Sequence, residues 1–565
     1  MKKLIIYSLL LSIVAGFYSC LDDKNSFDYK QVNELDGGIS NMDEYGYEVT
    51  VGEELTLSPK FKFTIDKENP DVSYEWYLDG KKLDATTPSY TFSSDKYGIY
   101  ELTYSVVDNK TGVKFSKSTK ITVASAYLKG WAILSDMNGR SVLSFIKIKT
   151  VKIPYYDYYG EEAYRDSIVY EEVEKDIVPN LGTEPRRLLE STGYWDLAYQ
   201  EVNSGEEVLY DELVVMQGSK WVELNGNSLM RSVYTEEEFN GDIPDDFSPV
   251  DAVMTYSSKF LFNQNGYIYY NQRAVANDFH AGFYLSDPIW GGTRFKAMYG
   301  LQKINDYMCT VPVLTTDNSL QYIWDGGLTY SFPTIPMNTL NYSGNVYEIL
   351  DAEGKVDSRF QNMEYDIITM LPAATANDDW YDSCTPRWVA LMKKDGNYFL
   401  RNFALDTSDM KPPVRVGDYL EKDVKGEMFT DYKDMVVFQN KRYVVIANGA
   451  ELWYCSTIDE SDSGMKIKLE DGDTFPGSIV SLSYLDMNYY SPDLYTNGHL
   501  GVAFDNGEFR IYEVIEEKTG DIANEVTLKK LYPNKVSNSL GDNKFGTIVD
   551  AIYKFGDCLK ITFME

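Results

Sequence analysis

Two histidines, His280 and His499, are all that 565 residues offer, and neither lies near a second histidine or a cysteine at ligand spacing. A zinc centre takes three or four nitrogen or sulfur ligands, and a serine hydrolase needs a histidine aimed at its nucleophile. Both chemistries therefore have almost no material here. No Gly-x-Ser-x-Gly elbow, His-Glu-x-x-His helix, P-loop or dinucleotide fingerprint occurs in the sequence. Glycoside hydrolysis survives this filter because it needs only two carboxylates, but 87 Asp and Glu residues with no motif to select a pair make its survival uninformative. One segment has the oxygen order of a calcium loop: Asp459, Ser461, Ser463, Gly464 and, at the twelfth position, Glu470. Its flanks alternate like strands, so it reads first as an acidic surface loop, with Ca2+ as the alternative; otherwise no cofactor is expected. Aromatic clusters say more. Tyr155, Tyr156, Tyr158 and Tyr159 form one, Tyr489 and Tyr490 another, and Trp290 and the pair Trp380, Tyr381 stand in turn-rich segments. Stiff amphipathic rings dock peptides, sugars or protein partners, although many of 47 tyrosines must also sit at strand edges.

The remaining reactive residue is Cys20. Lys2 and Lys3 precede an apolar run from Leu4 to Phe17, too short to span a bilayer, and Ser19-Cys20 closes it. The segment resembles a bacterial lipoprotein signal, in which Cys20 is diacylated and becomes the new amino terminus. Phe17 and Tyr18 are bulkier than that pattern prefers. Asp22 and Asp23, directly behind the lipid, resemble the surface-export signal of Bacteroidota lipoproteins, which implies an outer-membrane anchor facing the cell exterior.

Removing residues 1–19 leaves 546 residues, and losing Lys2 and Lys3 takes the formal charge from −34 to −36. Phosphate recognition needs clustered Lys and Arg, so nucleic acid is excluded as a partner. The same charge repels anionic lipid headgroups, leaving the lipid as the only anchor. Cys309, Cys384, Cys455 and Cys558 are more than seventy residues apart in sequence, which argues against a disulfide-dense scaffold and for small buried side chains. A chain of this length should divide into at least two domains.

Residues 20–45 read as a lipidated terminus and polar tether. From Val49 the texture alternates at period two, and Tyr74-Glu75-Trp76-Tyr77-Leu78-Asp79-Gly80 supplies a strand with a tryptophan and a turn. About seven short strands over residues 46–125 predict a two-sheet sandwich. With Tyr97-Gly98-Ile99-Tyr100-Glu101-Leu102 and the strand that follows it to Asp108, this stretch resembles a PKD or Ig-like domain, although the usual Asp-Phe-Gly-Asp-Gly turn is missing. Such domains serve as spacers or contact modules, so the resemblance implies no chemistry.

Residues 126–565 continue all-β. Turn dipeptides recur at Asn138-Gly139, Asn225-Gly226, Asn265-Gly266, Asp325-Gly326, Asp395-Gly396, Asn448-Gly449 and Asn506-Gly507. Each favours a type I′ hairpin, and their spacing of 40 to 87 residues suits propeller blades of four strands with insertions. The expected fold is all-β: an amino-terminal Ig/PKD-like sandwich, then a β-propeller of seven blades, eight being the alternative. Leu559–Phe563 is the expected strand completing the first blade.

Signal, acidic export residues, Ig-like module and a propeller opening with Gly130-Trp131-Ala132-Ile133-Leu134-Ser135 together resemble the PKD-like family surface lipoproteins of Bacteroidota. That resemblance implies a non-enzymatic accessory to a SusC/SusD-type, TonB-dependent importer, capturing an oligopeptide in preference to an oligosaccharide. The rival readings are a propeller glycosidase or lyase, which paired carboxylates at the channel mouth would favour, and a structural or adhesion coat protein.

Overall fold

In the computed structural model the described residues are 33–554, less 44–45, 97, 128, 157–159, 161, 193–210, 227, 255–257, 273–281, 301–309, 326–343, 374–386, 408–410, 439, 471, 487–496 and 534–542. Two compact units meet in sequence between Ala124 and Ser125.

The first unit is a sandwich. Its larger sheet runs, edge to edge, Tyr47–Thr50, Lys114–Ala124, Gly98–Asp108, Val72–Leu78 and Lys81–Lys82, the first pair parallel and the rest antiparallel. Leu55–Leu57 pairs with Tyr90–Phe92, and Leu35–Ser40 pairs with Lys60–Phe63. Alternation turns Leu102, Tyr104 and Val106 inward against Phe63, Phe92 and Ile121. Trp76 sits in this core, 4.8 Å from the Tyr104 ring, and its indole N–H donates to the Thr87 carbonyl at 2.9 Å. The strand Leu35–Ser40 lies inside the stretch expected to be tether, and that expectation is corrected. Gly37 and Gly38, at φ 81° and 78°, interrupt its alternation, so only Leu35 and Ile39 betray a buried face.

The second unit is a seven-bladed propeller. Seven sheets follow one another among the described residues, and six apolar clusters fill their seven seams, one of them spanning blades 3 to 5. Taken from the axis outward, blade 1 is Thr547–Lys554, Gly130–Met137, Arg140–Tyr156 and Glu162–Glu174, and blade 2 is Pro185–Thr192, Asp211–Gln217, Val222–Asn225 and Arg231–Tyr234. Blade 3 is Pro249–Met254, Ser258–Asn263 and Ile268–Gln272, and blade 4 starts at Phe295–Met298. Blades 5, 6 and 7 start at Asp366–Pro372, Tyr432–Phe438 and Ile479–Leu485.

Blade 1 joins the two ends of the unit: Gly130–Met137 pairs along its length with Thr547–Lys554. The closing strand is thus Thr547–Lys554 and not Leu559–Phe563, which lies outside the described residues. A bulge at Val549 breaks the period-two signal that would have marked it. The turn dipeptides also divide. Five of the seven join the second and third strands of their blades, whereas Asn225-Gly226 and Asp325-Gly326 follow the third strand. Blades 2 and 4 make the equivalent inner turn at Gly218-Ser219 and Asp317-Asn318.

Candidate functional site at the propeller axis

Every innermost strand carries one bulge at the same point. The extra residues are Arg186, Val250, Lys296, Ile368, Lys433, Val480 and Val549. A bulge re-aims the side chain that follows it, and the followers form a ring of Arg187, Asp251, Ala297, Thr369, Asp434, Ser481 and Asp550. Three carboxylates, one guanidinium and two hydroxyls are thereby collected around one axis.

Five of these seven positions are linked in an unbroken arc. Asp434 of blade 6 accepts the Met435 N–H on Oδ1 at 2.8 Å and, on Oδ2, the Leu482 N–H of blade 7 at 2.7 Å. Ser481 Oγ donates to Asp550 Oδ1 of blade 1 at 3.1 Å, and Asp550 Oδ2 accepts the Leu188 N–H of blade 2 at 2.8 Å. Arg187 Nη1 reaches Asp251 Oδ1 of blade 3 at 3.1 Å, and the same oxygen accepts the Ala252 N–H at 2.9 Å. Ala297 and Thr369, in blades 4 and 5, stand outside the arc.

Enclosure shapes the charge of this ring. Burial pushes Asp434 up to about 7, opposed by its backbone donors and by Arg187 and reinforced by Asp550. Burial likewise raises Asp550 and Asp251, with Arg187 opposing in both. The groups remain partly wet: 24% of the Asp251 side chain and 33% of Arg187 are solvent-accessible. Asp434 and Asp550 spend both oxygens on strand amides, which makes them clasps between blades. Asp251 Oδ2 is the one oxygen of the three carboxylates with no protein donor among the described residues.

Other ionisable groups are locked in seams. His499, buried in blade 7, lies 2.5 Å by its Nδ1 from the Tyr170 hydroxyl of blade 1, and burial drives its pKa down to about 3, so it is a neutral core residue. Lys259 is fully buried between blades 2 and 3, with Nζ 2.6 Å from Glu223 Oε2 and 2.9 Å from both oxygens of Glu238. Cys455 is a buried thiol that burial raises to about 11. Cys309, Cys384, Cys558 and His280 lie outside the described residues.

Of the residues singled out from sequence, Tyr155 and Tyr156 sit near the end of a hairpin whose strands, Arg140–Tyr156 and Glu162–Glu174, outrun the rest of blade 1. Gly130 pairs with Lys147, so everything beyond that register is a two-stranded ribbon. Tyr156 is 77% and Tyr164 61% exposed. Trp290 is exposed and adopts φ 58°, a left-handed conformation costly for a bulky residue. Cys20, Asp22, Asp23, Tyr158, Tyr159, Trp380, Tyr381, Tyr489 and Tyr490 lie outside the described residues.

The oxygens proposed for Ca2+ do not form one loop. Between Asp459 and Glu470, Met465–Lys466 joins blade 6 and Lys468–Leu469 pairs with the outer strand of blade 7. Asp459 Oδ1 instead accepts the Ser461 amide and hydroxyl, while the Lys422 ammonium occupies the Asp459 carbonyl at 2.7 Å. Ser463 passes its carbonyl to the Lys425 amide.

The axial ring escaped sequence reasoning because each member follows a bulge. A signal was nevertheless present: Val250-Asp251-Ala252-Val253, Lys433-Asp434-Met435-Val436 and Val549-Asp550-Ala551-Ile552 are three copies of one inner-strand pattern.

Residues 20–177 match the model of the PKD-like family, so the amino-terminal part of the chain carries a PKD-like domain. The match runs past the sandwich and ends just beyond the outer strand of blade 1. No curated protein matches the sequence. Among solved structures, the chain is similar to a quinonprotein alcohol dehydrogenase-like protein of Bacteroides thetaiotaomicron, at 12% identity over 94% of this chain and 97% of that one, with a TM-score of 0.24. It is also similar to AztD of Citrobacter koseri, at 10% identity over 85% and 98%, with a TM-score of 0.35. Prp20p of Saccharomyces cerevisiae matches at 9% identity over 63% and 88%, with a TM-score of 0.30. The blade count rests on the strand pairings described above.

Proposed function

We propose that the protein is a non-enzymatic surface lipoprotein, anchored in the outer membrane through Cys20, that captures or presents oligopeptide beside a SusC/SusD-type importer. The observation that carries this reading is the use of the axial carboxylates: Asp434 and Asp550 hold amides of neighbouring blades, so the ring is a rigid mount and its recognition surfaces lie on its periphery. The family match beginning at Cys20, the lipidation candidate, supports an anchored terminus. Membrane confinement raises effective concentration, so weak contacts suffice for assembly with a transporter. The test is affinity purification of the lipidated protein from detergent-solubilised outer membranes, with mass spectrometry and palmitate labelling. A TonB-dependent barrel should co-purify; labelled protein recovered without one would favour the surface-coat reading.

A second reading has one observation in its favour. Three carboxylates share the axis, and Asp434, raised to about 7, has the acidity of a general acid at neutral pH. A polysaccharide glycosidase would use such a pair, and turnover abolished by Asp434→Asn in a variant that still folds would establish it.

A further inference from the structure

Blade 3 ends differently from its neighbours. Outside its three strands, the segment around Tyr284 takes the rim, bridging Asn271 on one side and Phe239 on the other. The Tyr284 amide donates to the Glu238 carbonyl at 2.8 Å, the Asn240 amide to the Tyr284 carbonyl at 2.9 Å, and Ser286 Oγ to the Asp242 carbonyl at 2.5 Å. Tyr284 is buried with its ring centroid 5.2 Å from Phe239. Period-two alternation then turns both its neighbours outward. Phe283 is 57% exposed and Leu285 59%, and Ile243 on the adjoining segment is 41% exposed. Bulky apolar side chains held outward on hydrogen-bonded backbone lose little entropy on contact and mark interaction sites when polar residues rim them.

The chain that carries Ile243 is acidic. From Ser232 to Ser258 there is no Lys or Arg. Glu237, Asp242, Asp245 and Asp246 on that segment and Asp287 beside Leu285 are exposed, and the Ser286–Asp242 bond brings the two segments together. Matching that field requires positive charge, and matching the trio requires apolar side chains. A neutral glycan supplies neither, and an anionic one is repelled. We propose that the outer edge of blade 3 docks the oligopeptide itself, as a segment whose Lys or Arg residues flank Leu- or Phe-sized side chains. This rests on the peptide reading above and specifies the class of peptide.

The test uses the mature chain and three fluorescent probe peptides of equal length: Lys-Leu-Lys-Phe-Lys-Leu, its Glu-for-Lys counterpart, and a Gly-Ser control. Only the basic probe should bind, and raising NaCl from about 50 to about 500 mM should weaken it several-fold. Phe283→Ser with Leu285→Ser should weaken it at least tenfold, and Asp242→Asn, Asp245→Asn and Asp246→Asn together should remove most of the salt dependence. Both sets alter exposed side chains, and unchanged unfolding curves would confirm that they fold. Basic-probe binding that survives Phe283→Ser with Leu285→Ser overturns the blade 3 site and leaves the peptide reading standing. Binding of the acidic probe as tightly as the basic one overturns the charge argument. Binding of no peptide, with a transporter still co-purifying, overturns both this site and the choice of peptide cargo.

Discussion

Blades 6, 7, 1, 2 and 3 are joined at the axis by side-chain-to-amide bonds, a Ser–Asp bond and an Arg–Asp pair, whereas blades 4 and 5 place Ala297 and Thr369 there. The plain arc coincides with the largest apolar cluster, which runs from blade 3 through Trp324 of blade 4 to Trp388 of blade 5. The stitched arc has blade 1 at its centre, where the two ends of the ring meet. Its other seams bury ions as well, Lys259 at blades 2 and 3 and Lys441 with Glu516 at blades 6 and 7. Elsewhere the covalent chain keeps neighbouring blades together, and the bonds between them, such as Asn402 Nδ2 to the Thr457 carbonyl and Lys422 Nζ to the Ser456 carbonyl, lie away from the axial ring. At the meeting point no peptide bond does so, and directional bonds fix the register that packing alone specifies poorly.

Substitutions should expose this difference. Lys259→Met removes the ammonium shared by Glu223 and Glu238 and should lower unfolding stability by about 3–5 kcal/mol, read from urea curves. A loss under about 1 kcal/mol would show that this seam does not depend on its ions. Asp550→Ala leaves the Leu188 and Ala551 amides without an acceptor and should cost about 2–3 kcal/mol, while Thr369→Ala on the plain arc should change stability by less than about 0.5 kcal/mol. Equal effects would erase the distinction between the arcs.

Proton titration sharpens it further. Asp434, raised to about 7 in the folded chain, keeps a proton that the unfolded chain has already released. Stability through this group therefore falls as pH rises from about 4 to about 7, on the order of 2 kcal/mol once its partial exposure is allowed for. The wild-type stability relative to Asp434→Asn should decline across that window. His499 acts in the opposite direction. Held neutral down to about 3, it contributes stability above the ordinary histidine range that is lost as pH falls from about 6.5 toward 3. His499→Phe should flatten that acid limb. The smallest effect belongs to the ribbon: Tyr156→Ser should leave stability within about 0.5 kcal/mol of wild type while remaining free to alter partner binding.

The sandwich core was legible because Trp76, Leu102, Tyr104 and Val106 keep strict alternation, and the propeller because five Asn-Gly or Asp-Gly turns sit at equivalent hairpins. The innermost strands were not, since a bulge shifts each by one residue and scrambles the periodicity a strand is read by. Leu35–Ser40 was hidden by its paired glycines in the same way. The blade 3 edge was hidden for another reason: Phe283 and Leu285 look like ordinary core residues until Tyr284 between them takes the inward position. Of the aromatic candidates, the fold bears on Tyr155, Tyr156 and Trp290, all of which it leaves at the surface.

Gly130 and Lys554 are partners in blade 1 yet stand at opposite ends of their unit. A chain emerging amino terminus first has made the other three strands of this sheet long before their inner neighbour exists. Until then Gly130–Met137 offers an unsatisfied row of amides and carbonyls, an invitation to pair with the wrong strand. Circle completion is consequently the last and entropically most distant event of assembly, and a chaperone that shields that edge would have its greatest effect there.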